Sequence, residues 1–329
     1  MSSPAPVLPD GLTTRPLQNS ESKALFELIA AQELHDTGQV AIEEADLISD
    51  WALPGYDLGA SSIGVFDGEE LVAYAEHMRG DRADAAVRPH DRGRGIGTWL
   101  ASWLRNLGRS RGVKVIGMPV PEGSDGDRLL DALGYRVRWT SWVLALPEGT
   151  TIRTRELPAG YTVRESTRED YAAVHDLLED AFLEWSDRER ETFGAFDAMV
   201  LQRPGFAPWN ARVVTDADGA VVAAAIVHLA ESQPAEAAAA AEAAEAAGAA
   251  EAAEAAEART AYIARLGTRP DQRNRGLAQA LLMDSFAAGR EHGATVFELS
   301  TDSRTGALSL YEKVGMVVRD VWVNRAIEL

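Results

Sequence analysis

Apolar and polar positions along the chain follow two patterns that recur in the same order in each half. Four short runs alternate with a period of two, which is typical of β-strands. These runs are Ser62–Phe66 with Leu71–His77, and Ala211–Thr215 with Ala220–His228. Asp67-Gly68 joins the first pair and Asp218-Gly219 joins the second. Because Asp-Gly is typical of tight hairpin turns, each half is predicted to contain an antiparallel hairpin.

Longer stretches with helical periodicity flank the hairpins in a fixed order. A helix is predicted before each hairpin, and a strand, a glycine-containing loop, a long helix, a strand, a helix and a last strand follow it. The predicted helices are Ser20–Gln32, Thr98–Arg109, Asp127–Leu133, Arg168–Trp185, Leu277–Glu291 and Ala307–Lys313; the further strands are Asp84–Val87, Lys114–Met118, Arg136–Leu146, Ala261–Leu266, Thr295–Ser300 and Val317–Ile327. This order predicts an α/β fold in which each half has a mixed sheet flanked by helices.

The glycine-containing loops show that the two halves are copies of one unit. Val87–Gly97 reads VRPHDRGRGIG and Thr268–Ala278 reads TRPDQRNRGLA, with the matching residues 181 positions apart. Gly134-Tyr135 and Gly315-Met316 keep the same spacing. Internal similarity at a constant offset indicates a repeated architecture.

The spacing of the repeats also defines the domains and an insertion. Breaker residues cluster between Pro147 and Pro158, so we predict domains over residues 1–150 and 151–329. The hairpins are 151 residues apart rather than 181, which leaves about 30 extra residues in the second copy. These correspond to the Ala/Glu-rich tract at about 231–258, which we expect to be a solvated insertion.

Composition excludes several classes of function. A formal net charge of −19 argues against a nucleic-acid surface and is compatible with a cationic substrate. The absence of cysteine excludes disulfides, thiolate metal sites and a cysteine nucleophile, and we predict no metal site. The first residues lack the features of a signal peptide, and no apolar run is long enough to span a membrane. We therefore expect a cytoplasmic protein, a monomer or homodimer, without membrane association.

The second loop has the features of an anion site. A loop that leads from a strand directly into a helix exposes backbone N–H groups that have no partner within the helix, and the helix dipole adds positive charge. Gly276 permits close approach of a ligand, and Arg273 and Arg275 contribute cationic side chains. A diphosphate is the natural ligand for this arrangement.

The loop and a second motif together resemble the GNAT (GCN5-related) N-acetyltransferase family. The motif Leu310–Met316, LYEKVGM, follows Arg273–Ala278 at the spacing of that family, and the first half matches in Arg92–Gly97 and Leu129–Tyr135. The resemblance covers both halves except the insertion and the extreme N-terminus. It implies two tandem GNAT-like domains, similar to those of mycothiol synthase-like acetyltransferases, and acetyl-CoA as the cofactor.

The resemblance assigns roles to particular residues. It implies that loop amides hold the pyrophosphate of acetyl-CoA, that the preceding strand binds pantetheine and polarises the thioester, and that Tyr311 protonates the departing CoA thiolate. The implied loop residues are Arg273, Asn274, Arg275, Gly276, Leu277 and Ala278, with Leu266, Gly267 and Thr268 on the strand. The first loop is a second candidate for CoA binding through Arg92, Gly93, Arg94, Gly95, Ile96 and Gly97.

The two halves differ at the position of the predicted general acid. Leu130 stands 181 residues before Tyr311, and leucine cannot donate a proton. We therefore expect the first half to be catalytically silent. An asparagine that often precedes the Leu-Tyr pair in the family is absent between Thr301 and Ala307, so the sequence departs from the family pattern there.

The sequence leaves the general base and the acceptor open. Glu298 on the predicted strand after the long helix is the first candidate base, and Glu184 and His228 are alternatives. An aromatic stretch that includes Phe182, Trp185, Phe193, Phe196 and Phe206 precedes the second hairpin, where relatives build the acceptor pocket.

The predicted reaction is direct acetyl transfer from acetyl-CoA to a primary amine of a small molecule, such as an amino sugar, an amino-acid conjugate or an antibiotic-like metabolite. Acetylation of a peptide or protein amine and a non-catalytic CoA-binding sensor are the alternatives. A dinucleotide-binding oxidoreductase fits less well, because neither loop has the Gly-x-Gly-x-x-Gly spacing.

Overall fold

The structure, a computed structural model, describes residues 6–53, 55–153, 155–186, 188–231 and 259–329. The strands are β1 Leu12–Arg15, β2 Ser62–Asp67, β3 Glu70–His77, β4 Ala83–Val87, β5 Val115–Pro121, β6 Arg136–Ala145, β7 Thr162–Glu165, β8 Ala211–Thr215, β9 Val221–Glu231, β10 Arg259–Thr268, β11 Val296–Asp302 and β12 Val317–Glu328. The helices are α1 Ser22–Thr37, α2 Glu44–Trp51, α3 Leu58–Ser61, α4 Ile96–Ser110, α5 Asp125–Ala132, α6 Tyr171–Leu183, α7 Phe193–Phe196, α8 Leu277–Glu291 and α9 Leu308–Glu312. The predicted insertion lies outside the described residues, apart from Glu231.

The chain forms two compact units. The first contains the residues up to Ser141 together with Asp320–Leu329, and the second is Trp142–Arg319. This division places residues 142–150 in the second unit and the last ten residues in the first, whereas the prediction divided the chain once, at residue 150. The prediction treated each half as continuous, whereas the first unit is assembled from two separate stretches of the chain.

In the first unit, β1, β2, β3 and β4 form an antiparallel sheet in that order. Strand β5 pairs with the last strand, from Trp322 opposite Pro121 to Glu328 opposite Val115. Between β4 and β5 the described pairing is a single parallel bridge, Arg82 opposite Gly117. The two strands therefore separate beyond this bridge, and α4 packs below them with Leu100 and Leu104 in the core.

The second unit repeats this arrangement. Strands β7 to β10 form an antiparallel meander, and β11 adds in parallel to β10. On the far side of β11 lies the end of β6, where Leu146 N donates to the carbonyl oxygen of Phe297 at 2.9 Å. Helix α8 covers one face of the sheet through Leu282 and Phe286, and α6 covers the other through Leu178.

Each unit thus takes a core strand from the other sequence repeat. Val323, which is 3% exposed, belongs to the core cluster of the first unit, although it lies near the end of the sequence. Leu144 and Leu146 belong to the core of the second unit, although they lie at the end of the first repeat.

The repeated α/β order predicted from the sequence is confirmed, with most boundaries within three residues. Helix α8 begins and ends where it was expected. Four short elements, β1, β7, α3 and α7, and the eight-residue α2 were not predicted. Four to eight residues give too few periods for the hydrophobic pattern to distinguish a strand or helix from a loop.

Candidate active site

The loop between β10 and α8 exposes backbone amides at the start of the helix. Gly276 adopts a left-handed conformation (φ 79°) directly before Leu277, the first residue of α8. Asn274 (φ 62°) is the only non-glycine residue with positive φ among those that the structure describes. Asparagine tolerates this conformation better than most residues. The N–H groups of the first helical turn have no acceptor within the helix, so the loop is suited to an anion.

The first-unit loop has the same conformation. Gly93 (φ 77°) and Gly95 (φ 89°) occupy the left-handed positions, and α4 begins at the next residue. Arg92 Nε lies 3.5 Å from the carbonyl oxygen of Val87, the last residue of β4. The corresponding arginine of the second unit makes the same contact, from Arg273 Nε to Thr268 O at 3.1 Å.

Charge pairing distinguishes the two loops. Arg92 donates to both carboxylate oxygens of Asp36 at 2.7 and 2.8 Å and to Asp125 at 3.2 Å. Arg94 is paired with Asp91 and Asp67. Both arginines of the first loop therefore have carboxylate partners, which offset the positive charge that an anion would meet.

In the second loop, Arg273 donates to the two carboxylate oxygens of Glu184 at 2.7 and 2.6 Å. This hydrogen bonding lowers the pKa of Glu184. Arg275 donates to Tyr161 Oη at 3.1 Å and has no carboxylate partner within the described part of the chain. The second loop therefore offers an anion a guanidinium that is not already neutralised.

The strand that leads into this loop separates from its neighbour. Pairing of β10 with β11 runs from Thr260 opposite Val296 to Ile263 opposite Leu299 and ends there. A bulge between Ile263 and Arg265 shifts the register of β10 against β9 at the same point. Bulges commonly redirect a strand beside an active site.

Beyond the bulge, the three predicted strand residues pair with β9 alone. Leu266, Gly267 and Thr268 lie opposite Ala225, Ala224 and Ala223. Their other edge faces away from β9, towards the gap that opens beside β11. Thr268 Oγ1 is buried in this region without a hydrogen-bond partner among the described residues. The unpaired edge of these three residues therefore offers backbone groups to an elongated ligand.

Tyr311 lies at this gap. It is 8% exposed, and its phenol is hydrogen-bonded with Thr301, two residues beyond the last paired residue of β11. Burial raises the pKa of Tyr311 to about 12, and the nearby phenol of Tyr262 acts in the same direction. The group is therefore protonated throughout the neutral range and can act as a hydrogen-bond donor or acid.

The structure places the three candidate bases in different environments. Glu298 faces away from the α8 core, between Phe297 and Leu299, and is ion-paired with Arg319. An ion-paired carboxylate is a weaker base than a free one. Glu184 lies at the loop, bonded to Arg273, rather than beside the sheet gap as a base would require.

His228 lies on β9 opposite Tyr262, at the edge of the bulged region. Burial lowers its pKa to about 4, and the positive charges of Arg203 and Arg265 contribute. Its Nε2 is buried and has no hydrogen-bond partner among the described residues. The imidazole is therefore neutral at physiological pH.

The aromatic stretch before the second hairpin divides between core and surface. Phe196 is fully buried against Val200 and Ile226, whereas Phe193 is 42% exposed. The guanidinium carbon of Arg304 lies over the Trp185 ring, 5.0 Å from the ring centre. A role for the exposed members in an acceptor pocket stays a prediction.

Two acidic clusters were not anticipated from the sequence. In the second unit Glu179, 1% exposed, accepts from Arg188 at 2.6 and 2.9 Å; burial opposes ionisation, but these bonds lower its pKa. In the first unit Glu76 accepts from Tyr56, and burial raises the pKa values of Glu76 and of Asp84 opposite it. No spacing in the sequence marks these groups, because cross-strand and helix–loop contacts bring them together.

Among the described residues, no group of three or more His, Cys, Asp or Glu side chains is arranged to hold a metal ion. Within the same residues, no helix has both the length and the apolar character needed to cross a membrane.

Fold and site together define a class of protein. Each unit has a strand that separates from its parallel neighbour and leads through a glycine-containing loop into a helix, which is an arrangement for binding an elongated molecule with an anionic end. The second unit adds a buried phenol at the strand gap.

Comparison with known proteins agrees with this class. Residues 171–316 match the model of the acetyltransferase (GNAT) family. A GCN5-related N-acetyltransferase from Sphaerobacter thermophilus is 26% identical, with a TM-score of 0.74 over 98% of this chain and 97% of that one. No curated protein sequence matches the chain significantly.

More distant structures share the fold over nearly the whole chain. A tandem GNAT protein from the clavulanic acid biosynthesis pathway has a TM-score of 0.69 at 17% identity, covering 96% of this chain and 98% of that one. N-Myristoyltransferase from Saccharomyces cerevisiae has a TM-score of 0.61 at 12% identity, covering 99% and 80%. Residues 171–316 therefore form a GNAT acetyltransferase domain, of a family of acyltransferases that use acetyl-CoA, and the whole chain shares the fold of a tandem GNAT protein.

Proposed function

We propose that the protein transfers an acetyl group from acetyl-CoA to a primary amine of a small molecule, and that the second unit carries out this reaction. The observation that carries the proposal is the combination, within one unit, of an anion-binding loop, a strand gap and a buried phenol. One path is lined in turn by Arg275 and Thr268 Oγ1, which have no carboxylate and no hydrogen-bond partner, respectively, among the described residues, and by the protonated Tyr311.

The loop residues 273–278 would hold the diphosphate. Amides at the start of α8 point towards this position, and Arg275 supplies a positive charge. The exposed edge of Leu266–Thr268 would hold the pantetheine arm through backbone hydrogen bonds. These backbone donors would also polarise the thioester carbonyl, as in an oxyanion hole.

Tyr311 would act on the sulfur of the donor. The amine nitrogen attacks the acetyl carbonyl carbon, a carbon–nitrogen bond forms and the carbon–sulfur bond breaks. The sulfur takes a proton from Tyr311 Oη, and the proton that the amine gives up to a base returns to the phenol through solvent. Because the phenol is protonated over the neutral range, it is ready to donate at each turnover.

The proton of the attacking amine requires an acceptor. Glu298 stays our candidate, although its ion pair with Arg319 would have to loosen when the amine binds. His228 would more readily accept a hydrogen bond than a full proton, because its pKa is about 4.

The formal charge of −19 supports a cationic acceptor, since it favours the approach of protonated amines. We propose that the enzyme acts in the cytoplasm, as a monomer or homodimer.

The test is acetyl-CoA turnover, followed by release of free CoA thiol, with a panel of amino sugars, amino acids and their conjugates, aminoglycosides and lysine-containing peptides. Turnover with a small amine supports the proposal. Turnover confined to peptides would instead assign a protein or peptide acceptor. Acetyl-CoA binding without turnover across the panel would favour a CoA-binding sensor.

A further inference from the structure

Arg265 lies where β10 leaves β11. Pairing of β10 with β11 ends at Ile263, and Arg265 is the next residue of β10 that pairs with β9. Ala264, between them, has no residue opposite it on β9 and packs against the cluster that contains Phe196. The Arg265 guanidinium lies over the Phe196 ring, 5.5 Å from its centre. Two successive side chains therefore point to one face of the sheet, which happens at a bulge and not in a regular strand.

Arg265 belongs to a cluster of four charged side chains on this face. Its Nη1 donates to Glu191 Oε2 at 2.7 Å and lies 3.9 Å from Glu179 Oε1. Glu179, on α6, is 1% exposed and accepts from the backbone N–H of Glu191 at 2.8 Å. It also accepts from Arg188 at 2.6 and 2.9 Å. Removal of one member would leave a buried charge uncompensated, so each member fixes the others in place.

The equivalent strand of the first unit has neither the arginine nor the bulge. Asp84 stands 181 residues before Arg265. Strand β4 pairs with β3 along its whole length without a shift in register, and Asp84 is one of the paired residues. The unit that carries the buried phenol of Tyr311 is therefore also the unit in which this strand is bulged and this position is arginine.

We propose that Arg265 is a positioning residue: by holding the bulge of β10, it aims backbone N–H groups of this strand at the thioester carbonyl of bound acetyl-CoA. A bulge gives up regular pairing, so a strand retains it only where other contacts favour it. Arg265 supplies these contacts on the α6 side. Without them, β10 can return to a regular register and pair with β11 beyond Ile263, which narrows the gap. Arg265 thus adds to the proposed function, on which this assignment rests, the side chain that keeps the gap open.

The test is the infrared stretching frequency of the thioester carbonyl in bound acetyl-CoA that is isotope-labelled at the carbonyl carbon. Hydrogen-bond donors that polarise the carbonyl lower this frequency below its value in solution, and the measurement needs no acceptor. The parent protein is the full chain with Gly95→Asp, which places a carboxylate in the first loop so that the signal comes from the second unit. The parent should show the lowered frequency. Arg265→Met should move it back towards the solution value, while Kd for acetyl-CoA, measured by calorimetry, stays nearly the same because the loop before α8 is unaltered.

Arg212→Met is the matched control. Arg212 lies on β8 of the same unit, with β9 between it and β10, and is ion-paired with Asp284 at 2.6 Å. Its side chain is 14% exposed, against 22% for Arg265. The control loses a comparable ion pair away from the gap, so its carbonyl frequency should equal that of the parent. A merely structural role of Arg265 would lower the melting temperatures of both variants and leave the frequency unchanged.

A lowered frequency that Arg265→Met retains would overturn the inference and leave the proposed function standing. An unshifted frequency in the parent, or an equal loss of the shift in Arg212→Met, would also overturn it. If the amine panel fails while Arg265→Met alone loses the shift, the proposed transfer to a small amine is rejected and the inference stands. If Arg265→Met does not fold, as judged by its melting temperature, Glu191→Gln removes the charge of the main partner and should lose part of the shift; no loss in that variant would overturn the inference.

Discussion

At the scale of single residues, the exchange of leucine for tyrosine most sharply separates the two repeats. Leu130 and Tyr311 occupy equivalent places after equivalent loops, and both are buried. Only the phenol can donate a proton. The sequence predicted this difference, and the structure adds that burial raises the pKa of Tyr311 to about 12, which keeps the donor protonated.

We expect Tyr311→Phe to lower kcat by about a hundredfold, because the sulfur then leaves without a proton donor. Binding of acetyl-CoA should change little, since the ring is retained. The measurement is steady-state turnover together with calorimetry. Tyr171→Phe, in the same unit and packed against Phe206, is the matched control. Nearly unchanged turnover in Tyr311→Phe would place the acid elsewhere.

His228 should make stability depend on pH. Its folded pKa of about 4 lies below the ordinary value of 6.5, so the unfolded chain binds more protons between these two values. The free energy of unfolding should therefore fall as pH decreases from 6.5 to 4. The full effect is about 3 kcal/mol, at 1.36 kcal/mol per pKa unit.

Denaturant unfolding of the wild type and His228→Gln at pH 7 and pH 4.5 measures this contribution. Glutamine does not titrate, so the variant should lose less stability than the wild type over this interval. Equal losses of unfolding free energy in the wild type and the variant would show that the pKa of His228 is not lowered by folding.

At the scale of elements, the turn from strand to helix is the part of the site that sequence reasoning reached most directly. Spacing and glycine content predicted the loop, and in the structure each copy has two residues in the left-handed conformation before the helix. The ion pair that joins the loop to the preceding helix, Arg273 to Glu184, was not predicted. From the sequence, Glu184 was predicted only as an alternative general base, and it lies 89 residues before Arg273 in the chain.

Gly276→Asp should weaken acetyl-CoA binding and lower turnover by at least about tenfold, because a carboxylate would stand where the diphosphate is expected. Calorimetry and turnover measure the effect. Gly219→Asp is the matched control: it has a similar φ of 81°, and a Cβ would meet nothing within 4 Å at either site. If the two variants bind acetyl-CoA equally well, the loop does not hold the anion.

At the scale of the whole molecule, the last strand determines the integrity of the first unit. Trp322–Glu328 pairs with β5, and Arg325 donates to Asp127 and Asp131 at 2.6 Å. Val323 adds a buried side chain to the same core. The first unit is therefore completed by residues that follow the whole second unit in the chain.

Val323→Ala should lower the stability of the first unit by about 2 kcal/mol, through lost burial and the cavity it leaves. Hydrogen exchange should show the loss of protection in β2 to β5. Val317→Ala, at a 50% exposed position of the same strand, should have little effect. Loss of protection mainly within Trp142–Arg319 would contradict this assignment of the strand.

The sequence by itself determined the repeat, the order of helices and strands and the two loops. These features depend on local periodicity, glycine placement and a constant offset, which can be read within tens of residues. Tertiary structure decided the place of the last strand, the bulge after Ile263 and the partners of Arg265. Each depends on which distant backbone and side-chain groups meet. An extended strand satisfies its hydrogen bonds equally well against many partners, so its local pattern does not specify its neighbour.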